Sequence, residues 1–153
     1  RECDPTQLYV SVDAPERATF ENVVGALEED AWEKLVETLD VLYDKECRTV
    51  LRTTLVNGQN MADPDLYAAL FGRADPDFVE LKAYMHVGHS RGRLDRSSMP
   101  DHDAVADFAR EVQAHMPDHD TFKEQPASNV ALLAREEDTW VPELRADSDF
   151  WDE

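Results

Sequence analysis

Residues 78–96 read FVELKAYMHVGHSRGRLDR. The first part is strand-like, with Phe78, Val79, Leu81 and Tyr84 supplying bulky apolar mass and one lysine, Lys82, inside the run. The second part, GHSRGR at 88–93, is a glycine-punctuated loop rich in cations. From Lys82 to Arg96 there are four cations (Lys82, Arg91, Arg93, Arg96) against Asp95, a net +3 inside a chain of net charge −19. That reversal of sign points to an anionic ligand. With Gly88 and Gly92 allowing close approach of the backbone and Ser90 as a donor, phosphate is the natural one. The alternative is a surface loop whose arginines pair with the surrounding carboxylates.

Outward from this stretch, composition sets the bounds. A chain of 153 residues is long enough for one domain with a core, and 42% apolar residues with three Trp exclude a disordered acidic tail. Asp and Glu number 34 against 15 Lys and Arg, and only Lys34, Lys45, Lys82 and Lys123 are lysines. The carboxylates are dispersed along the whole chain. Such a surface suits concentrated salt, where screening removes self-repulsion; even spacing disfavours an acidic patch made for one basic partner. Cys3 and Cys47 form no CxxC or His-paired metal spacing. No apolar run approaches a membrane span and no signal peptide opens the chain, so a reducing, cytoplasmic setting is expected.

Taken in order, residues 7–12 (QLYVSV) predict a strand stopped at Pro15, and a short helix is expected around Phe20–Leu27. Residues 30–43 predict a helix from the spacing of Trp32, Leu35, Val36, Leu39 and Leu42, with Asp30 as its cap. Residues 49–56 (TVLRTTLV) predict a second strand ending at Asn57-Gly58, and Pro64 suits the first turn of a helix running to Phe71. The Phe78 strand, a helix over 101–115 and a last strand at 130–134 (VALLA) follow. His102, His115 and His119 are expected in surface or capping positions, and Trp32 and Phe108 in the core. Strand–helix units of this length predict an α/β fold with parallel strands, crossover helices and strands apolar on both sides. Three units make an open half-sheet, or half of a barrel. Ligands of such sheets bind at the carboxyl ends of the strands. Ser11 and Asp13, Arg52 and Thr54, and Lys82, His86 and the GHSRGR loop are expected to converge there. Arg52 and Lys82, cations inside strands, either face a pocket or pair internally with Asp13 or Glu80.

Three blocks carry a family resemblance: TQLYVSVDAP at 6–15, RTVLRTTLVNGQN at 48–60 and DPDFVELKAYMHVGHSRGRLDRSSMPDHDAV at 75–105. Together they resemble the wyosine-forming radical SAM enzymes, the 4-demethylwyosine synthases. The third block is the specific one, and the likeness runs from about Pro5 to Arg135. The resemblance implies an α/β fold that is the C-terminal part of a radical SAM (β/α)6 TIM-like barrel over residues 1–136, with a wyosine-specific segment at 75–116 and an acidic tail at 137–153. It implies a lyase that uses S-adenosylmethionine and a 4Fe-4S cluster to join a two-carbon unit of pyruvate to N1-methylguanosine in tRNA-Phe. It makes Lys82 the candidate for a Schiff base with pyruvate. Ser11, Asp13 and Arg52 become candidates for S-adenosylmethionine, and His89, Ser90, Arg91, Arg93 and Arg96 for the tRNA backbone. The acidic composition matches a haloarchaeal member. The clustered cysteines of the family are absent, and Cys3 and Cys47 cannot replace them; the glycine-rich segment that follows them is absent too. The expectation is a C-terminal half that needs the missing N-terminal half of the barrel as partner and is inactive alone. Two other readings stay open: a tRNA-binding module without catalysis, and a Schiff-base lyase using Lys82.

The dispersed charge yields a direct expectation. The protein loosens at low ionic strength, and its melting temperature rises between dilute and molar salt; an unchanged melting temperature removes the halophilic reading.

Overall fold

The computed structural model describes residues 5–135. Its elements are β1 (Gln7–Ser11), α1 (Arg17–Val24), α2 (Ala31–Tyr43), β2 (Arg48–Leu55), α3 (Pro64–Phe71), β3 (Phe78–Ala83), α4 (His102–Gln113), β4 (Thr121–Gln125) and β5 (Val130–Ala134). Short 3-10 turns occupy Gly88–Gly92, Arg96–Ser98 and Pro126–Ser128. The acidic tail expected at 137–153 and Cys3 lie outside the described residues.

One mixed sheet has the order β1-β2-β3-β5-β4. β1, β2 and β3 are parallel, as their intervening helices predict. β5 is antiparallel to both β3 and β4, which corrects the expectation of parallel strands throughout. After α4 the chain does supply a strand running in the sense of β3. That strand is β4, one place further out, and β5 doubles back into the gap. β4 (TFKEQ) is polar and mostly exposed, so no apolar run announces it in the sequence.

The hydrophobic periods explain the layers. Leu8 and Val10 of β1, Leu51 and Leu55 of β2, Val79, Leu81 and Ala83 of β3, and Ala131 and Leu133 of β5 join one core with the buried faces of α2, α3 and α4. Phe108 is in this core, and Trp32 packs against its margin, edge-on to Phe20 at 5.5 Å. Tyr67 meets Phe71 and Phe108 at 5.6 and 5.7 Å between ring centres. On the other face only Val50, Phe78 and Ala134, with Leu132 against them, form a small apolar patch at one end. Apart from Val130 and Tyr9, the remaining side chains of that face are polar among the described strands, contrary to the expectation of strands apolar on both sides. Tyr9 there is half exposed and Ser11 is exposed.

Two helix starts depart from simple capping. Asp30 precedes α2 but makes no capping bond; its carboxylate pairs with Lys34 at 3.0 Å. Asp101 does cap α4, accepting from the Ala104 N–H at 2.9 Å.

A buried polar knot joins the carboxyl ends of β1 and β2. Asn60, 1% exposed, accepts from the Val56 N–H at 2.7 Å and donates to the carbonyls of Asp13 (2.9 Å) and Thr54 (2.8 Å). Tyr67 Oη donates to the Asn60 carbonyl at 3.0 Å, and Thr53 Oγ1 to the Val12 carbonyl at 2.7 Å. Burial, with a smaller contribution from the Asp13 charge, pushes the Tyr67 phenol upward, so it stays a donor.

His119 is a second buried polar group, 3% exposed, which corrects its expected surface position. Its Nε2 lies 2.9 Å from the Pro76 carbonyl, and Gln113 Nε2 donates to its own carbonyl at 2.8 Å, so it ties the end of α4 to the start of β3. Burial lowers its pKa below the ordinary histidine value; Arg135 adds to this, while the Pro76 bond, Asp75 and Asp118 oppose it.

Replacing Asn60 with Ala strands one N–H and two carbonyls in the interior. We expect a loss of roughly 3 kcal/mol or more in chemical denaturation, since each buried unpaired polar group costs about 1–3 kcal/mol. For His119 the unfolded chain binds the proton more readily than the folded one. Stability therefore falls as pH drops from the unfolded value of 6.5 toward the depressed folded value. Over that window the wild type loses more melting temperature than His119→Gln; parallel curves for the two proteins refute the assignment.

Candidate nucleotide and carboxylate site

The carboxyl ends of β1, β2 and β3 and the segment after β3 form the site. Register places its residues. Ser11 lies beside Arg52, and Arg52 beside Glu80, in one row across three strands; Thr54 and Lys82 are neighbours in the next row. By the alternation of strand side chains, Ser11, Arg52, Thr54, Glu80 and Lys82 all belong to the face that no helix covers among the described residues.

Arg52 Nε lies 3.1 Å from Glu80 Oε1, with Glu80 the more enclosed partner. Arg52 is thus the internally paired cation that a strand-borne arginine implies, and part of its fork remains open to solvent. Asp13 is not its ion-pair partner: Asp13 Oδ1 accepts the Thr54 N–H at 2.7 Å. Burial raises the Asp13 pKa, opposed by the bonds from Thr54 and by the charge of Arg52. One of the Asp13 oxygens is therefore committed to holding β1 against β2. Lys82 is half-buried and has no ion pair among the described residues, flanked on its row by Thr54 and Val130.

Past Ala83, Tyr84 continues the ladder through its N–H to the Leu55 carbonyl at 2.8 Å. The chain then folds over itself. Tyr84 Oη lies 2.9 Å from Ser90 Oγ and 3.3 Å from His86 Nδ1, and Ser90 Oγ donates to the Val87 carbonyl at 2.5 Å. Arg91 Nε donates to the His86 carbonyl at 3.2 Å. Gly88 has φ +58°, so its glycine is conformationally required. Gly92 has no such conformation, and open space lies where its Cβ would be.

These turns wall an open groove of about 470 Å³ lined by Met85, His86, Val87, Arg91, Arg96 and Met99. Its far wall is braced by Asn57, whose N–H donates to the Ser98 carbonyl (2.9 Å) and whose amide donates to the Ser97 carbonyl (3.2 Å). Of the loop residues singled out from sequence, Arg91 and Arg96 line the groove, Ser90 fastens its base, and His89 and Arg93 are exposed outside the lining. Arg91, Arg93 and Arg96 have no carboxylate partner among the described residues, so the loop is not a set of neutralised surface pairs. Sequence reading placed His86 among the groups converging at the strand ends without giving it a role, and it did not choose Asn57 or Asn60. The only signal was position, just past a strand's carboxyl end.

No group of three or more His, Cys, Asp or Glu side chains among the described residues can hold a metal ion. Cys47, partly buried before β2, is a free thiol with no such neighbours. These residues do not fit an iron–sulfur cluster. The exposed Ser11 hydroxyl and the partly open Arg52 guanidinium do suit the polar end of an amino-acid-like cofactor. No helix among the described residues is long and apolar enough to cross a membrane.

Comparison with known proteins agrees with this geometry. Residues 73–135, which hold the groove, α4 and the β4–β5 hairpin, match the family model for wyosine base formation. The chain is 43% identical over 133 residues to the S-adenosyl-L-methionine-dependent tRNA 4-demethylwyosine synthase of Pyrococcus horikoshii, covering 87% of this chain and 39% of that protein. It is 35% identical over 130 residues to the human enzyme of that name, TYW1, covering 84% of this chain and 18% of that one. A solved structure of TYW1 with a lysine-pyruvate adduct bound superposes with a TM-score of 0.74 at 36% identity, over 87% of this chain and 42% of that one. The chain thus spans about two fifths of the archaeal relative's length. It carries a wyosine base formation segment and, along nearly all of its described residues, is similar to part of the tRNA 4-demethylwyosine synthases.

Proposed function

We propose that this chain is the C-terminal half of a radical SAM barrel that builds the 4-demethylwyosine base from N1-methylguanosine in tRNA-Phe and pyruvate. The observation that carries the reading is the placement of Lys82. It sits on the open polar face of the sheet, without a carboxylate partner among the described residues, a few residues before the cationic groove. A lysine amine in that position condenses with the ketone of pyruvate, releasing water and forming an imine. In support, the TYW1 structure that this chain resembles holds a lysine-pyruvate adduct.

S-Adenosylmethionine, when bound, supplies the radical chemistry of this enzyme class. The residues of this chain that would face it are Ser11, through its hydroxyl, and Arg52, through the part of its fork that Glu80 leaves open. Asp13 serves it indirectly, by fixing the Thr54 N–H and so the rim of the sheet. The cluster ligands belong to the other half of the barrel, which joins along the edge of β1 that has no strand partner among the described residues. Arg91 and Arg96 meet tRNA phosphates in the groove, and Arg93 and His89 extend the cationic surface beyond it. The chain alone is inactive, and the setting is the cytoplasm of a salt-adapted cell.

The test uses the full-length enzyme. Borohydride with pyruvate is expected to leave a mass adduct on Lys82 that Lys82→Arg abolishes. Arg91→Ala with Arg93→Ala is expected to weaken tRNA-Phe binding at least tenfold and to reduce the salt slope by about 1–2. An adduct found only on another lysine overturns the role given to Lys82. tRNA binding unchanged in the arginine variants overturns the role of the groove. A non-catalytic tRNA-binding module is the outcome if tRNA binds but no lysine is trapped.

A further inference from the structure

The hydrogen-bond chain behind the groove fixes the proton positions. The Val87 carbonyl has no proton, so at 2.5 Å Ser90 Oγ must donate to it. Ser90 has then used its one proton, and the contact of 2.9 Å to Tyr84 Oη requires the tyrosine to donate. The phenol proton is now spent as well. The 3.3 Å contact between Tyr84 Oη and His86 Nδ1 is a hydrogen bond only if Nδ1 carries the proton. Any other assignment sets two lone pairs against each other somewhere along the chain. A neutral His86 therefore has a bare Nε2, and His86 is one of the residues lining the groove with Arg91 and Arg96. Met85, Val87 and Met99 supply the apolar part of the same lining.

Resting on the proposed function, we infer that His86 is a specificity residue whose Nε2 accepts a hydrogen bond from the exocyclic amine of a guanine-type base. Met85, Val87 and Met99 contact the ring, and Arg91 and Arg96 take the phosphate. In N1-methylguanosine the ring N1 carries a methyl group, so the 2-amino group is the donor left on that edge. An acceptor with a fixed tautomer selects it. A histidine free to carry its proton on Nε2 would repel it. Tyr84 and Ser90 are positioning residues in this scheme: they hold the tautomer and touch no ligand.

The test compares guanosine 5′-monophosphate with inosine 5′-monophosphate, which differ only in the 2-amino group, in titrations followed by NMR. Wild type is expected to prefer the guanine nucleotide roughly threefold to tenfold, the worth of one net hydrogen bond. His86→Asn keeps an N–H near the Nδ1 position for Tyr84 but has nothing at Nε2, so the preference disappears while binding of the inosine nucleotide is kept. Arg91→Ala weakens both nucleotides alike. In protein labelled with nitrogen-15 in histidine, His86 shows the Nδ1–H tautomer, and Tyr84→Phe turns it into a mixture without unfolding the chain. An Nε2–H tautomer in wild type, or a preference retained in His86→Asn, overturns the inference. Equal binding of the two nucleotides that still depends on Arg91 overturns the role of His86 alone. Nucleotide binding that is absent, or indifferent to Arg91 and to salt, overturns the reading of the groove itself.

Discussion

The fold depends on how the chain leaves its parallel strands. At that point backbone groups run out of ladder partners while still buried, and each unpaired group carries a penalty. Asn60 removes the problem at once for Val56, Asp13 and Thr54, and Tyr67 closes the knot from α3. The same bonds fix the relative height of β1 and β2. Because Asp13 then bonds Thr54, whose row neighbour is Lys82, an interaction inside the protein sets the rim on which the polar face ends. Asn57, three residues before Asn60, carries the order outward to the wall of the groove.

The sheet has two unlike faces, and that difference separates stability from chemistry. Three helices bury the face built on Leu51, Leu55, Val79 and Leu81. The opposite face presents Ser11, Arg52, Thr54, Glu80 and Lys82 in register. Alternation along a strand lets one short segment, such as Val79 to Leu81 around Glu80, serve the core and the site together. Substitutions on the first face act on folding. Those on the second act on what the sheet can hold.

Much of this was legible in the sequence because it depends on local patterns. The helical spacing of Leu35, Leu39 and Leu42, the β-branched run of β2 and the prolines around α4 each mark their element. The charge reversal around Arg91 marked the groove. What stayed hidden depends on long-range geometry. β4 has no apolar signature because it is an edge strand, and the direction of β5 follows from a hairpin whose Asn129 adopts φ +50°. His119 reads as any polar residue after a helix, yet the Pro76 carbonyl, 43 residues away, gives it a buried partner. Asn60 and His86 matter through partners that no spacing rule brings together. The wyosine-forming resemblance rested on whole blocks of sequence, and those blocks hold β1, β2, and β3 with the turns that follow it.

The reversed strand β5 also sets a direction of growth. By taking the hydrogen-bonding edge of β3, and by ending the sheet in the charged, water-facing β4, the hairpin seals that flank against further parallel units. β1 ends differently, with Tyr9 half bare and a row of backbone donors and acceptors unused among the described residues. The two edges of the sheet are therefore chemically unlike: a charged, water-facing strand at β4 and a more apolar one at β1.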